Sequence, residues 1–237
     1  MGPASPEPLT TAGAGHSVAV ILPVLHEAGI LETALTEVLA QAPDEIIVID
    51  GGSRDATRDI VRHHPRIRLL ETERGRAAQM NAGAAEAHAD ILLFLHADTR
   101  LPPQALSHVR AAIQAGHLWG RFDVRLDGAR PAYRVIERFM NLRSALTGIA
   151  TGDQAVFVRR DIFRQLGGYA PIALMEDIEL SARLKRRQRP ARVRAPVVTS
   201  ARRWEQHGIL RTVLRMWALR FLYRVGVSPV RLARWYG

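Results

Sequence analysis

The chain has 237 residues, of which 47% are hydrophobic, 24% are charged and none is cysteine. That is a globular composition, long enough to bury the core of one domain with room for an appendage. Without cysteine there can be no disulfide framework, thiolate zinc site or cysteine nucleophile, so any metal must be held by carboxylates, imidazoles or carbonyls, which suits Mg2+ or Mn2+.

The formal charge of +10 is unevenly spread: residues 1–98 carry 7 basic and 14 acidic groups, residues 99–237 carry 26 and 9. An acidic half able to hold a metal thus precedes a basic half able to hold phosphates or to face an anionic surface. Every basic residue except Lys185 is arginine, a bias that a GC-rich genome produces as readily as a charged partner does. No stretch approaches the roughly 20 apolar residues that span a bilayer. Residues 1–17 lack the basic and apolar regions of a signal peptide and read as a disordered leader. The expectation is a cytoplasmic protein, able to rest on the inner face of a membrane.

In chain order, Val18 to Leu22 is an apolar run ending at Pro23 and reads as a buried strand. Ile30, Leu31, Ala34, Leu35, Val38 and Leu39 recur at helical spacing. Glu45 to Ile49 is a second strand, closed by the turn Asp50-Gly51-Gly52-Ser53, with Asp55 expected to cap a helix running through Val61. Ile67 to Leu70 is a third strand, Gly75 to Ala87 an Ala-rich helix, and Ile91 to Leu95 a fourth strand ending at His96-Ala97-Asp98. This alternation predicts a doubly wound parallel sheet, with ligands at the carboxyl ends of its strands. Three polar clusters fall there: His26-Glu27, Asp50 to Asp55, and His96 to Asp98.

Beyond Pro102-Pro103 a helix is expected to about Ala115, then a strand over Trp119 to Leu126 and a helix over Ala132 to Leu146. Thr151-Gly152-Asp153-Gln154 leads into a strand over Ala155 to Val158. Met175-Glu176-Asp177 opens a helix ending in Lys185-Arg186-Arg187, and Val193 to Val198 is the last strand. Ile209 to Val225 reads as a helix with Arg211, Arg215, Arg220 and Arg224 set among apolar residues.

Several of these groups suit chemistry. Asp98 can offer a metal one oxygen, with His96 two residues earlier, to neutralise a departing diphosphate; it can equally cap a turn. Asp50 or Asp55 can hydrogen-bond a base or ribose across a glycine turn, or simply build a βα turn. Glu176 and Asp177 are adjacent carboxylates, one of which can be tuned upward into a general base; favourable charge at a helix N-terminus is the plainer reading. Arg202-Arg203-Trp204 can clamp a diphosphate and stack a sugar, or decorate a surface.

Together these motifs resemble the family 2 glycosyltransferases, inverting enzymes of the GT-A fold, from about Val18 to Trp204. Pro23 with His26-Glu27 is similar to the family's Pro-x-x-Asn-Glu, with His for Asn. Asp50-Gly51-Gly52-Ser53-x-Asp55-x-Thr57 resembles its Asp-Asp-Gly-Ser-x-Asp-x-Thr, with Gly51 for the second Asp. Gly75-Arg76-Ala-Ala-Gln79-Met80-Asn81-Ala-Gly83 matches the helix used near the nucleotide. His96-Ala97-Asp98 stands where the family has Asp-x-Asp, and Glu176-Asp177 matches its Glu-Asp pair, whose Asp is the usual base. Arg203-Trp204 is similar to Gln-x-x-Arg-Trp of processive members, with Ser200 for Gln. The spellings His-Ala-Asp, Gly-Asp-Gln and Met-Glu-Asp resemble a small bacterial subgroup found near radical-SAM genes and suspected of arsenosugar-type chemistry.

The resemblance implies a mixed, mainly parallel α/β sheet flanked by helices. A GT-A domain would span residues 18–206, with a nucleotide-binding half at 18–98 and an acceptor-binding half at 99–206, and a basic amphipathic helical extension at 207–237. It implies a UDP- or GDP-sugar donor, Mg2+ or Mn2+ on Asp98 and His96, and a nucleotide site of Pro23, Glu27, Asp50, Gly51, Ser53, Asp55, Arg76 and Asn81. Asp177 and Glu176 would be catalytic, with Asp153, Gln154, Arg203 and Trp204 toward a small-molecule or lipid-linked acceptor. A homodimer is compatible, as is a peripheral membrane contact through 209–225.

Two other classes compete. A nicotinamide oxidoreductase needs Gly-x-Gly-x-x-Gly after the first strand, but Gly13-Ala14-Gly15 precedes it. A nonenzymatic binder of nucleic acid or lipid could use the basic half. Aromatics at 6% are sparse for nucleic-acid stacking, so no nucleic acid is expected.

Overall fold

The computed structural model describes residues 15–236, apart from the side chains of Arg203, His207 and Tyr236. Most of the leader expected over residues 1–17 lies outside the described residues.

Four apolar strands form the first half of the sheet: β1 (Val18–Val24), β2 (Glu45–Asp50), β3 (Arg68–Glu71) and β4 (Ile91–Phe94). They pair in parallel in the order β3-β2-β1-β4. β1, β2 and β4 are buried on both faces, which is why their sequences are continuous Val/Ile/Leu runs without alternation. Helix α1 (Ala28–Ala40) covers one face through Leu31, Leu35 and Val38, beside α2 (Thr57–Arg62). Helix α3 (Arg76–Glu86) covers the other through Ala77, Met80 and Ala84. It lies close because Gly83 has no Cβ, which would stand 2.6 Å from Ile49 and 2.7 Å from Ile21.

After β5 (Thr99–Arg100) come α4 (Ala105–Gln114), β6 (Trp119–Leu126), α5 (Pro131–Thr147) and a short 3-10 turn, Gly152–Gln154. Then follow β7 (Phe157–Arg159), α6 (Arg160–Gln165), α7 (Glu176–Arg187), β8 (Ala191–Thr199), α8 (Arg202–His207), α9 (Ile209–Arg224) and α10 (Pro229–Tyr236). These strands extend the same sheet to eight, in the order β3-β2-β1-β4-β7-β6-β8-β5. β7 runs antiparallel between β4 and β6, while β6 pairs in parallel with β8. The sheet is therefore mixed, with four parallel and three antiparallel pairings.

Three details differ from expectation. The two-residue β5 carries no periodicity to read; it exists because Thr99 and Arg100 pair with the end of β8. The strand expected from Ala155 starts at Phe157, since Ala155 takes a left-handed φ of +44° on leaving the 3-10 turn. Asp55 does not cap α2 at its first position: that helix starts at Thr57 behind Ala56, and Asp55 ties the turn to α1 instead.

The register aligns the strand ends that matter. Val24 pairs with Asp50 and Ile21 with Phe94. The loops after β1, β2 and β4 therefore leave from three adjacent strands at the same edge of the sheet.

Candidate active site

Two of these loops are stitched together by their own polar groups. The His26 N–H donates to Ser53 Oγ (2.9 Å), the Glu27 N–H to Thr57 Oγ1 (2.9 Å) and the Ala28 N–H to an Asp55 oxygen (3.2 Å). Asp50 Oδ2 accepts the N–H groups of Gly52 and Ser53, at 3.0 and 2.9 Å. The fully buried Asp50 leaves Oδ1 without a donor among the described residues. An unpaired buried acceptor costs about 1–3 kcal/mol, a cost carried by the turn that closes β2. His26 itself has φ of +56°, and its Nδ1 accepts the Arg54 N–H (3.2 Å). That position needs a residue tolerant of left-handed backbone and bearing a local acceptor, which histidine supplies as asparagine does.

Gln79 holds this edge from beneath. Its buried amide nitrogen donates to the Val24 and Ile49 carbonyls, both at 2.8 Å, pinning the ends of β1 and β2. A Cβ on Gly51 would sit 3.0 Å from that amide, so the glycine in place of a second Asp leaves the Gln79 amide room. Pro23 closes β1 opposite Ile49.

Asp98 follows β4 and is exposed, while His96 is half-buried. Glu27 is held above the usual carboxylate range, first by burial and then by the charge of Asp98, with Arg202 pulling the other way. Two carboxylates that feel each other at the mouth of a cleft favour a cation. No group of three or more His, Cys, Asp or Glu able to hold a metal exists among the described residues. An exposed carboxylate oxygen beside an imidazole is a donor set that fits an ion of the Mg2+ or Mn2+ kind, which keeps waters and takes substrate phosphates as ligands. Asp98 and His96 are the residues that would hold it.

The carboxylate pair opens α7. Met175, in a left-handed conformation with φ of +71°, breaks the chain just before it. The first turn then carries Glu176, Asp177 and Glu179 and the last turn Lys185, Arg186 and Arg187, matching the helix dipole at both ends. Asp177 accepts the Gly152 N–H (2.8 Å) and the Ile178 N–H (2.7 Å). Burial raises its carboxyl above the usual range, against those two bonds and the charge of Arg76; Asp153 adds to the rise. Glu176 is raised by burial and by Asp177, and Arg76 reaches it at 3.4 Å. Gly152 also joins this pair to the metal edge, since a Cβ there would lie 2.6 Å from His96 Cε1. His96, Gly152 and Asp177 are therefore in sequence of contact.

A small, open pocket of about 60 Å³ lies over the pair, lined by Arg76, Thr151, Glu176 and Asp177 and, from α9, by Met216 and Arg220. Behind it Arg143 is lowered to about 10 by burial and by the like charge of Arg220. Arg143 Nε and Nη2, Arg220 Nε and Asp153 Oδ1 are buried without partners among the described residues. Two guanidinium groups, Arg143 and Arg220, thus stand together at the back of the pocket.

The other expected residues lie as follows. Arg76 is at Glu176. Asn81 is spent on the backbone of Tyr169, donating to its O and accepting its N–H, both at 2.8 Å. Asp55 is spent on Thr57 and Ala28, and the Thr57 hydroxyl lowers its pKa. Gln154 is wholly buried, accepting from Thr151 and donating to the Phe122 carbonyl. Trp204 packs in an apolar cluster with Tyr133 and Ile136 of α5. The Arg203 side chain lies outside the described residues. Gln79, Gly152 and Arg220 stood inside motifs read from the sequence but were given no role at the site, and Arg143 was not singled out at all.

A mixed sheet with two stitched acidic loops, an exposed carboxylate after β4 and a raised carboxylate pair opening α7 has the frame of a GT-A fold. A mannosyltransferase from Pyrobaculum calidifontis, solved with GDP-Man and Mn2+, shares the fold with a TM-score of 0.59 over 78% of this chain and 56% of that one, at 24% identity. Residues 19–167 match the profile of Glycosyl transferase family 2, and the chain belongs to that family. A probable glycosyltransferase YdaM of Bacillus subtilis (strain 168) is 30% identical over 166 residues, 59% of this chain and 39% of that protein. An undecaprenyl-phosphate 4-deoxy-4-formamido-L-arabinose transferase of Aeromonas hydrophila is 29% identical over 112 residues, 42% of this chain and 34% of that protein. The matches thus take in little more than a third of the length of these relatives.

Proposed function

We propose that this chain transfers a sugar from a nucleotide-diphospho-sugar to an acceptor hydroxyl in one inverting displacement. A bound Mg2+ or Mn2+ supplies Lewis-acid neutralisation of the leaving diphosphate, with Asp98 and His96 as its protein ligands. The loop from Asp50 to Asp55 would face the nucleoside, and Glu27 lines the same edge. Asp177 takes the proton from the acceptor hydroxyl, and Glu176 and Arg76 set its charge.

The observation that carries this reading is the tie of Asp177 to the Gly152 N–H, whose Cα packs on His96. A raised carboxylate, fixed by a backbone donor beside the metal edge, is what an attacking hydroxyl requires. The GDP-Man and Mn2+ bound by the structural neighbour support a sugar nucleotide and a divalent ion here. The undecaprenyl-phosphate in one relative's name supports a lipid-linked acceptor over a free small molecule. Such an acceptor would be met through the helix over 209–225; among the described residues no helix is long and apolar enough to cross a membrane. The finer placement, in the subgroup spelled His-Ala-Asp, Gly-Asp-Gln and Met-Glu-Asp, is supported by those three spellings.

Donor hydrolysis across UDP-, GDP- and dTDP-sugars with Mn2+ tests the reading directly. Asp177→Asn should lower turnover about 100-fold or more while donor binding persists, and Asp98→Ala should lose metal dependence. Full turnover in Asp177→Asn would remove the base assignment.

A further inference from the structure

Eleven large apolar side chains are 52–71% exposed among the described residues, and every one lies on α5, on α9 with its C-cap Val225, or on α10. On α5 they are Val135, Phe139, Leu142 and Leu146. On α9 they are Leu210, Leu214, Trp217 and Phe221. Both sets follow the same i, i+4, i+7, i+11 spacing, which draws one continuous stripe along each helix. The helices adjoin: Tyr133, Ile136 and Met140 share a cluster with Ile209, and Arg143 feels the charge of Arg220. An apolar surface of this extent marks an interaction site.

Its charge indicates the occupant. From Arg202 to Gly237 there are eight arginines and a single acidic residue, Glu205. Arg138, Arg211, Arg224, Arg231 and Arg234 are exposed around the stripes. Two copies packed face to face would oppose these like charges, and protein–protein cores are depleted of charge. Tryptophan and phenylalanine on one face, edged by arginine, instead suit the boundary between lipid headgroups and acyl chains. The inner side of α9 meanwhile contributes Met216 and Arg220 to the pocket over Glu176 and Asp177, and Leu219 and Leu232 pack on Met175 just before that pair.

We propose that α5, α9 and α10 form a docking face for an anionic lipid bilayer, which sets the catalytic pocket against the headgroups so that an acceptor enters from the membrane beneath α9. The docking stands on the surface itself; only the entry of an acceptor rests on the transferase reading.

The test is cosedimentation of the full chain with phosphatidylcholine vesicles, with and without phosphatidylglycerol, alongside donor hydrolysis without lipid. We expect binding to the anionic vesicles, weakened by salt. It should be lost in Trp217→Glu/Phe221→Glu and equally in Phe139→Glu/Leu142→Glu. Arg211→Gln/Arg224→Gln should weaken it about 30-fold, roughly fivefold for each charge near the surface. All six side chains are exposed, so melting temperature and lipid-free hydrolysis should stay at wild-type values. Absence of binding to anionic vesicles, undiminished binding by the α5 variant, or a solution dimer that these substitutions dissociate would each overturn the proposal. Vesicle binding without hydrolysis of any donor would instead remove the transferase reading and support docking.

Discussion

Gly152→Ala places a methyl group between His96 and the backbone that serves Asp177. The new Cβ would lie 2.6 Å from His96 Cε1 and 2.8 Å from Nε2, where carbon contacts normally settle near about 3.5 Å. A shortfall of roughly 0.9 Å must be taken up by the ring or by the backbone. If the ring moves, His96 leaves its place beside Asp98. If the backbone moves, the 2.8 Å bond from the Gly152 N–H to Asp177 lengthens. Either shift approaches the 1 Å misplacement that costs about 100-fold in rate, about 2.7 kcal/mol of barrier. The effect on folding is of the overpacking kind, about 1–3 kcal/mol.

The assay is kcat/KM for the donor over a range of Mn2+ concentrations, with melting temperature measured on the same preparation. A displaced ring raises the Mn2+ requirement, while a displaced backbone leaves it alone and lowers kcat. In His96→Ala/Gly152→Ala the methyl meets no ring, so the double variant should be less impaired than the two single losses predict. Strictly additive losses, or a Gly152→Ala enzyme within about twofold of wild type, would refute the linkage of the metal edge to the base through this glycine.

Three further outcomes are expected. The acid limb of the pH–rate profile should move up in Arg76→Met, since Arg76 lowers the Asp177 and Glu176 carboxyls, and down in Asp153→Asn, since Asp153 raises Asp177; shifts in the same direction would contradict this. Asp177→Asn should melt no lower than wild type at neutral pH. A carboxyl raised on folding stabilises below its unfolded pKa, and that contribution is lost as pH rises through the folded value, so ionised Asp177 is a burden at pH 7 that the amide lacks. Gly120→Ala should cost about 3 kcal/mol, or about 6–12 °C in Tm at this size, because the Cβ would meet Phe157 at 2.3 Å and the Ala191 carbonyl at 2.8 Å; an unchanged melt would mean that β6 and β8 are not packed as described.

What the sequence makes legible is set by the range of the physics. β1, β2 and β4 are readable because burial on both faces demands unbroken apolar runs, and their ends are readable because the polar residues begin where the sheet stops. The opening of α7 is readable from its charge order. What depends on distant chain is not. Nothing near Gly152 announces that His96, 56 positions earlier, will lie across it. Nothing near Asn81 shows that Tyr169 will take both ends of its amide. Asp55 stands in a motif associated with nucleotides, yet its oxygens close a turn. Trp204, beside two arginines, reads as a stacking platform but is drawn into the cluster under α5.

The two histidines show how a departure from a motif should be weighed. At position 26 the backbone asks for φ near +56° and a nitrogen or oxygen to accept the Arg54 N–H; histidine meets both demands, so the change from asparagine keeps the loop's geometry. At position 96 a bulky ring replaces a short carboxylate, and it fits because the facing residue has no side chain at all. The first substitution is conservative in the only properties its site uses. The second is accommodated by a glycine in another motif, and that glycine is also the donor that orients Asp177. A letter-by-letter comparison counts position 96 as a loss to the metal site. In three dimensions it belongs to a contact that carries the position of the loop after β4 to the carboxylate proposed as the base.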